Sequence, residues 1–493
     1  MGLIDYARNK IRSFLHIDKA NIAQITIKQR LDYNANAAKN RIWYRGESSE
    51  LSDLYGQLDV PKTVFWKAAS TKGMEIRKAH TGVPKLIVKV LSNIIMHDYN
   101  GVEIEQAALQ EIWDDTSKDN KFEKILKKAV REFLMVGDGA FKISFDKDIS
   151  MEYPIIEFIP GELVEYERKR GRITEVVFST FYNHDKKDCV LKEHYGKNYI
   201  KYELLDSSNK PIPLNSIPQT SWIDSEGFAF QGDIMLAVPV IFGESEQYEG
   251  RGESLFDGKT DSFDALDEAW SQWLDALRAG RTKEYIPNCL LPHDPDTGEI
   301  IKPNSFDNRF IEVGDDLSEG GSGNRIYTEQ PSIPHDSYLA TYVTALDLAL
   351  QGLISPSTLG IDVKKLDNAE AQREKEKTTL YTRGNIIDLL GEIIPEVIVT
   401  AVVGYQNWHK KVVEKPDVTV KFGEYANPSF ESQIETISKG RGGAAVMSIE
   451  AGVDELYGDD KDEEWKREEV ARIKAEQGII EMPEPSAGDE VGF

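Results

Sequence analysis

The sequence predicts an α+β chain, and three changes of pattern along its 493 residues predict it. Up to about residue 145, apolar residues recur mainly at helical spacing. From about 140 to 245 the runs become β-branched and aromatic, bounded by turn residues. From 257 onward, long helical stretches return around an irregular, Pro-, Asp- and Gly-rich excursion.

In the first region, VPKLIVKVLSNIIM (83–96) has apolar residues at helical spacing, with Pro84 tolerated in a first turn. A second helix, roughly 120–136, follows Ser117 and Asp119 and stops at Gly137-Asp138-Gly139. In the second region, FKISF, PIIEFIP and ITEVVFSTFY read as strands. CVLKEHY and YIKYEL form a hairpin around Gly196-Lys197-Asn198. A long helix begins near Asp257 or Gly258 and runs to Gly280. Beyond it a hairpin is expected across DPDTG (294–298) and a loop at EGGSG (319–323). Helical periodicity covers 338–352, breaks between Gly352 and Gly360, and resumes from about 367, where Pro395 is expected to kink the helix. A strand, VTVKF, then precedes two tail helices separated by Gly458. The second of these opens with a capping-box spacing at Asp460 to Glu463. The last residues read as disordered.

Composition narrows the function. Lys and Arg number 59 against 84 Asp and Glu, a net charge of −25, which argues against a broad nucleic-acid grip but not against letting DNA slide past. Two cysteines, Cys189 and Cys289, make neither a disulfide framework nor a structural zinc site. MGLIDYARNKIRSFLHI reads as a short basic amphipathic helix rather than a signal peptide, and IIPEVIVTAVVG is too short to span a bilayer and carries Glu396. No membrane association, no cofactor and no enzymatic activity are expected.

Two motifs imitate chemistry. GESLFDGKTD (252–261) ends in Gly258-Lys259-Thr260 like a phosphate-cradling loop. The Gly that such a loop needs ahead of it is out of place, however, and Asp257 and Asp261 would repel phosphate. His184, Cys189 and His194 have ligand chemistry, but on alternating strands they would not converge on a metal.

The helix 257–280 is more informative. At 100° per residue, Phe263, Leu266, Trp270, Trp273 and Leu277 share one face, and Asp257, Asp261, Asp264, Glu268 and Asp275 share the other. That carboxylate stripe reads either as a solvated surface or as an electronegative wall that keeps DNA from sticking. The segment from Gly352 to Leu390 combines a break at Ser355, Pro356, Ser357, Thr358, Leu359 and Gly360 with the basic pair Lys364-Lys365. A charged and then an apolar helix follows. It reads either as an ordinary helix–loop–helix or as a loop that touches DNA phosphates through the two lysines. A loop of this composition is expected to contribute little core, so deleting 353–366 should spare subunit folding.

LISPSTLGIDVKKLDNAEAQREKEKTTLYTR (353–383) strongly resembles the tunnel loop and following helix of portal proteins from siphophages of Gram-positive hosts. GKTDSFDALDEAWSQWLDALRAGRTKEYIPNCLLP (258–292) resembles their stem helix and entry to the clip. IWYRGESSELSDLYGQ, FWKAAS and RKAHTGVPKLIVKVLSNII resemble their amino-terminal part, and MSIEAGVDELYGDDKDEEWKREEVARIKAEQG (447–478) resembles their crown. The likeness covers most of the chain in the same order.

The resemblance implies the portal fold: an α/β wing, helical stem, clip, kinked tunnel helix and helical crown, closed into a cyclic ring. Residues 1–256 and 396–430 would be wing, 257–280 and 338–352 the stem helices, and 281–337 the clip. Residues 353–366 would be the tunnel loop, 367–395 the kinked tunnel helix, 431–480 the crown and 481–493 a tail. The implied role is a dodecameric DNA channel at a capsid vertex, for genome packaging, retention and ejection. The implied partners are double-stranded DNA, terminase, the head–tail adaptor, and the major capsid and scaffold proteins. Its place would be the virion, after synthesis in the bacterial cytoplasm. Another head–tail connector or minor capsid protein is the alternative.

Overall fold

A computed structural model describes residues 31–70, 75–184, 187–224, 227–301, 310–315, 325–361, 369–423, 437–438, 447–457, 461–476 and 478. The amphipathic start, the loop at 319–323, Lys364-Lys365 and the tail after 481 lie outside these residues. The chain divides into two compact units, residues 1–97 with 101–421, and residues 98–100 with 422–493.

In the first unit, helices α1 (Tyr33–Arg45), α2 (Ser48–Gln57) and α3 (Val83–Asp98) precede β1 (Tyr99–Ile104), which pairs with the late strand Val418–Phe422. Two further helices follow, α4 (Ala107–Asn120) and α5 (Phe122–Val136). Sequence periodicity finds α5 and overlooks α4, because only Leu109, Trp113 and Thr116 of α4 are buried. In α5, by contrast, Phe122, Leu126, Ala129, Val130 and Phe133 form a continuous buried stripe.

Helix α5 ends at Gly137, which has a positive φ of 108°. A Cβ there would stand 2.4 Å from the Gly252 carbonyl oxygen, and one on Gly252 would stand 2.0 Å from the Gly137 carbonyl oxygen. The glycines therefore let two backbones cross, as well as stopping a helix. Immediately after the crossing, β2 (Asp138–Ser144) runs between β3 (Ile155–Pro160) and β10 (Ala237–Ile241), antiparallel to both. Five of the seven residues of β2 are buried, as suits a central strand packed against helices.

Strands β4 (Val164–Lys169), β5 (Arg172–His184), β6 (Lys187–Gly196), β7 (Tyr199–Asp206) and β8 (Pro211–Ile212) form an antiparallel meander, with β9 (Phe228–Ala229) pairing with β7. The predicted hairpin is there: Gly196 faces Tyr199 across a two-residue turn in which Asn198 has φ of 65°.

Helix α6 (Thr260–Ala279) then pairs with α7 (His335–Leu350). Between them β11 (Lys283–Pro287) lies between the parallel β12 (Phe310–Val313) and the antiparallel β13 (Tyr327–Glu329). The DPDTG hairpin closes with the Asp294 amide on the Glu299 carbonyl at 2.8 Å. Helix α8 (Ala369–Trp408) contains Pro395, so the expected boundary at 396 falls inside a helix. Burial of Ile393, Ile394, Val397, Ile398, Ala401 and Val402 offsets the hydrogen bond that proline removes. Among the described residues no helix is long and apolar enough to cross a membrane.

The second unit carries α9 (Ile449–Tyr457) and α10 (Glu463–Glu476); Gly458, where the sequence puts the break between them, lies outside the described residues. The cap of α10 is Asp462, whose carboxylate accepts from the Trp465 amide at 2.8 Å; Asp460, where the sequence suggests a capping box, lies outside the described residues. Lys466 to Asp454 (2.7 Å), Lys474 to Glu450 (2.9 Å) and the Tyr457–Trp465 ring contact tie the two helices together.

Candidate functional site

Helices α6 and α7 are antiparallel. Trp270 and Trp273 both pack on Tyr342, Trp273 reaches His335 at the far end, and Lys259 reaches Leu348 and Gln351 at the near end. The chain leaves this pair at Gly280 and returns at Ile333. The two are in contact, since a Cβ on Gly280 would meet the Ile333 side chain at 2.4 Å. Residues 281–332 thus form an insertion whose two ends meet at one point.

The predicted apolar face of α6 is only partly an interior face. Phe263 and Leu266 are buried and Trp270 and Trp273 half-buried, but Leu277 is 48% exposed. Leu277 stands in the last turn of α6, where the described residues cover it only in part.

The acidic face is where sequence and structure part. Asp257 lies before the helix and accepts from the Asn36 and Asn40 side-chain amides at 3.0 and 3.3 Å. Asp264 is buried and accepts the Phe65 and Trp66 backbone N–H groups at 3.0 and 3.2 Å. Burial pushes its carboxyl above the usual carboxylate range, while those two N–H groups pull it back. Asp261, Glu268 and Asp275 keep contact with solvent. The continuous stripe is therefore broken: its first turns serve as an internal anchor.

The centre of that anchor is Asp267, which periodicity did not single out. Fully buried, it accepts from the Thr81 backbone N–H and hydroxyl (2.8 Å each) and the Trp66 indole (3.2 Å), and pairs with His80 Nδ1 at 2.7 Å. One turn on, the Ser271 hydroxyl accepts the Ala79 amide at 2.9 Å. The polar face of α6 thus binds both ends of the segment 65–81. The signal was present as Asp264, Asp267 and Ser271 at spacings of three and four. Its targets lie some 200 positions away in sequence, for example Phe65 at a separation of 199 from Asp264.

The Lys259 ammonium donates to the Leu348 and Gln351 carbonyls at 3.3 and 2.7 Å, capping the carboxy end of α7. Thr260 is simply the first residue of α6. His184, Cys189 and His194 do not converge. Cys189 is packed with Leu191, Leu204 and Ile217, and His194 sits between Glu175 and Glu203. Among the described residues no group of three or more His, Cys, Asp or Glu could hold a metal ion.

The turn after α7 is better anchored than its composition suggests. Leu353, Ile354, Ser355 and Pro356 are buried. The Ser355 amide donates to the Thr379 hydroxyl at 2.9 Å, and the Thr382 hydroxyl donates to the Leu353 carbonyl at 2.7 Å, seating the turn on α8. Of the six residues of the predicted break, Ser357, Thr358, Leu359 and Gly360 remain partly or fully exposed. Deleting 353–366 would therefore remove core, contrary to the expectation from sequence.

No family model and no curated protein matches the chain. Solved structures do show a likeness. A chain of the virion of a native gene transfer agent (GTA) particle is 12% identical, with a TM-score of 0.40, over 79% of this chain and 91% of that one. A chain of the neck of a native GTA particle, computed with C12 symmetry, is 10% identical (TM-score 0.40, over 80% and 91%). One of the neck of an empty GTA particle, computed with C6 symmetry, is 12% identical (TM-score 0.39, over 77% and 90%). At these values the likenesses add nothing to the fold described above.

Proposed function

We propose that this chain is the subunit of a phage portal ring, a DNA conduit at a capsid vertex without catalytic residues of its own. The observation that carries this reading is the insertion 281–332. A three-stranded module begins and ends at one point on an antiparallel helix pair, as a projecting clip between two stem helices must. The four sequence resemblances, in the same order along the chain, supply the rest. The clip would receive terminase during packaging and the adaptor afterwards, and the solvated carboxylates Asp261, Glu268 and Asp275 would keep the channel from holding DNA. Scaffold and major capsid protein would meet the ring at its rim. A nucleotidase using Lys259 and Thr260 is disfavoured by what Lys259 already bonds, and titrating ATP into the protein should give no binding heat.

The role assigned to Lys364 and Lys365 is contact with DNA phosphates. The double substitution Lys364→Ala/Lys365→Ala is expected to leave closed rings in negative-stain images while reducing DNA packaged or retained per particle roughly tenfold or more, since each lost phosphate contact weakens the salt-sensitive term. Normal packaging by that variant would remove the DNA-contact role. Wild-type protein that never forms rings with a central hole, even with scaffold present, would favour a different connector or minor capsid protein.

A further inference from the structure

Helices α4 and α5 follow one another in the chain with opposite charge. On α5, Lys124, Lys127, Lys128 and Arg131 share one face and, with Tyr44, Glu132 and Met135, line a groove of about 330 Å³. Its single carboxylate, Glu132, is bound to Arg41 at 2.7 Å. Lys124 and Lys128 are exposed and Lys127 and Arg131 half-exposed, the last donating to the Ser92 hydroxyl, so the groove is cationic with little internal neutralisation. On α4, Glu111, Asp114 and Asp115 are exposed. Asp114 accepts from the Gln110 amide and Asp115 from the Tyr153 hydroxyl.

A cationic groove on a chain of net charge −25 suits an anionic occupant. We infer that the occupant is the α4 face of a second copy of this chain, so that the two helices form the two halves of one head-to-tail interface. A heterologous contact joins two different surfaces of the same chain, and repetition of it closes a ring. Opposite charges on the two surfaces fix its direction, and like-with-like pairing is repelled. The apolar floor supplied by Tyr44 and Met135, and a groove too small for a duplex, favour a protein segment over nucleic acid. This inference rests on the ring proposed above and names which surfaces meet in it.

The test uses the full-length protein, with wild-type rings as reference. Lys124→Glu/Lys127→Glu/Lys128→Glu, made at the exposed or half-exposed end of the groove, should raise the concentration at which rings dissociate at least tenfold. It should leave the circular dichroism and melting of the subunit unchanged. Adding Glu111→Lys/Asp114→Lys/Asp115→Lys to the same chain should restore rings, which a merely misfolded subunit could not do. Raising salt from about 0.1 M to about 1 M, which shortens screening from about 10 Å to about 3 Å, should loosen wild-type rings in the same sense. Wild-type rings that tolerate the triple reversal overturn the inference while leaving the ring itself standing. Absence of rings in the wild type would instead remove the reading beneath it. Loss of duplex-DNA binding on reversal, with rings intact, would assign the groove to nucleic acid and overturn the inference equally.

Discussion

Asp267→Ala is expected to destabilise the subunit by about 3–5 kcal/mol, the range for removing one partner from a buried charged network. The carboxylate is fully buried and accepts from Thr81 twice and from the Trp66 indole, besides pairing with His80. Alanine leaves these donors without an acceptor and without water, so the loss includes their desolvation as well as the hydrogen bonds. Asp267→Asn keeps one acceptor but turns an NH₂ group toward donors, and should lose about half as much. Urea unfolding followed by tryptophan fluorescence reads both. A change below about 1 kcal/mol for Asp267→Ala would mean that the carboxylate is solvated, and that α6 does not anchor residues 65–81.

Arg251→Met should cost a similar amount, about 3–5 kcal/mol, because it strands a buried carboxylate. Asp138 is fully buried, with Arg251 Nε at 3.0 Å, the Tyr33 hydroxyl at 2.5 Å and the Gly252 amide at 3.0 Å. The same guanidinium donates to the Val164 and Gly161 carbonyls and lies 3.7 Å from the centre of the Tyr33 ring. Burial pushes the Asp138 carboxyl above its ordinary range and Arg251 pulls it down. Without Arg251 that push loses its strongest opposing influence, and the Tyr33 hydroxyl and Gly252 amide are left to counter it. A carboxyl raised in the folded state contributes stability below its unfolded pKa and loses it as pH rises through the folded one. The deficit of Arg251→Met should therefore be smaller at about pH 5 than at about pH 8. Arg251→Met/Asp138→Asn should recover much of it. Equal melting deficits at both pH values, or no recovery in the double variant, would contradict this account.

Much of the fold was legible because its signals are local. The β6–β7 hairpin follows from a two-residue turn between alternating strands, and α5 from an unbroken apolar stripe. The DPDTG turn follows from Asp294, whose side chain accepts the Asp296 and Thr297 amides at 2.8 and 3.0 Å. What sequence missed depends on partners far along the chain. Helical spacing shows that Asp264 and Asp267 share a face, but a carboxylate reads as solvated until the segment that covers it is known. Asp257 was placed on the helix because a start at Gly258 and one at Thr260 have the same pattern. Ser355 and Pro356 read as a free loop because their composition is that of a turn, and nothing local announces that Thr379 and Thr382 will receive it. Leu277 errs in the opposite direction: its position on the apolar face is as expected, but that face outlasts its cover.

The most direct test of the central claim is the mass of the purified protein in solution, by light scattering after size exclusion. Twelve copies of a 55.6 kDa chain give about 667 kDa, and a peak of that mass is what the portal reading predicts. A species of about 56 kDa that persists at high concentration and in the presence of scaffold would contradict it.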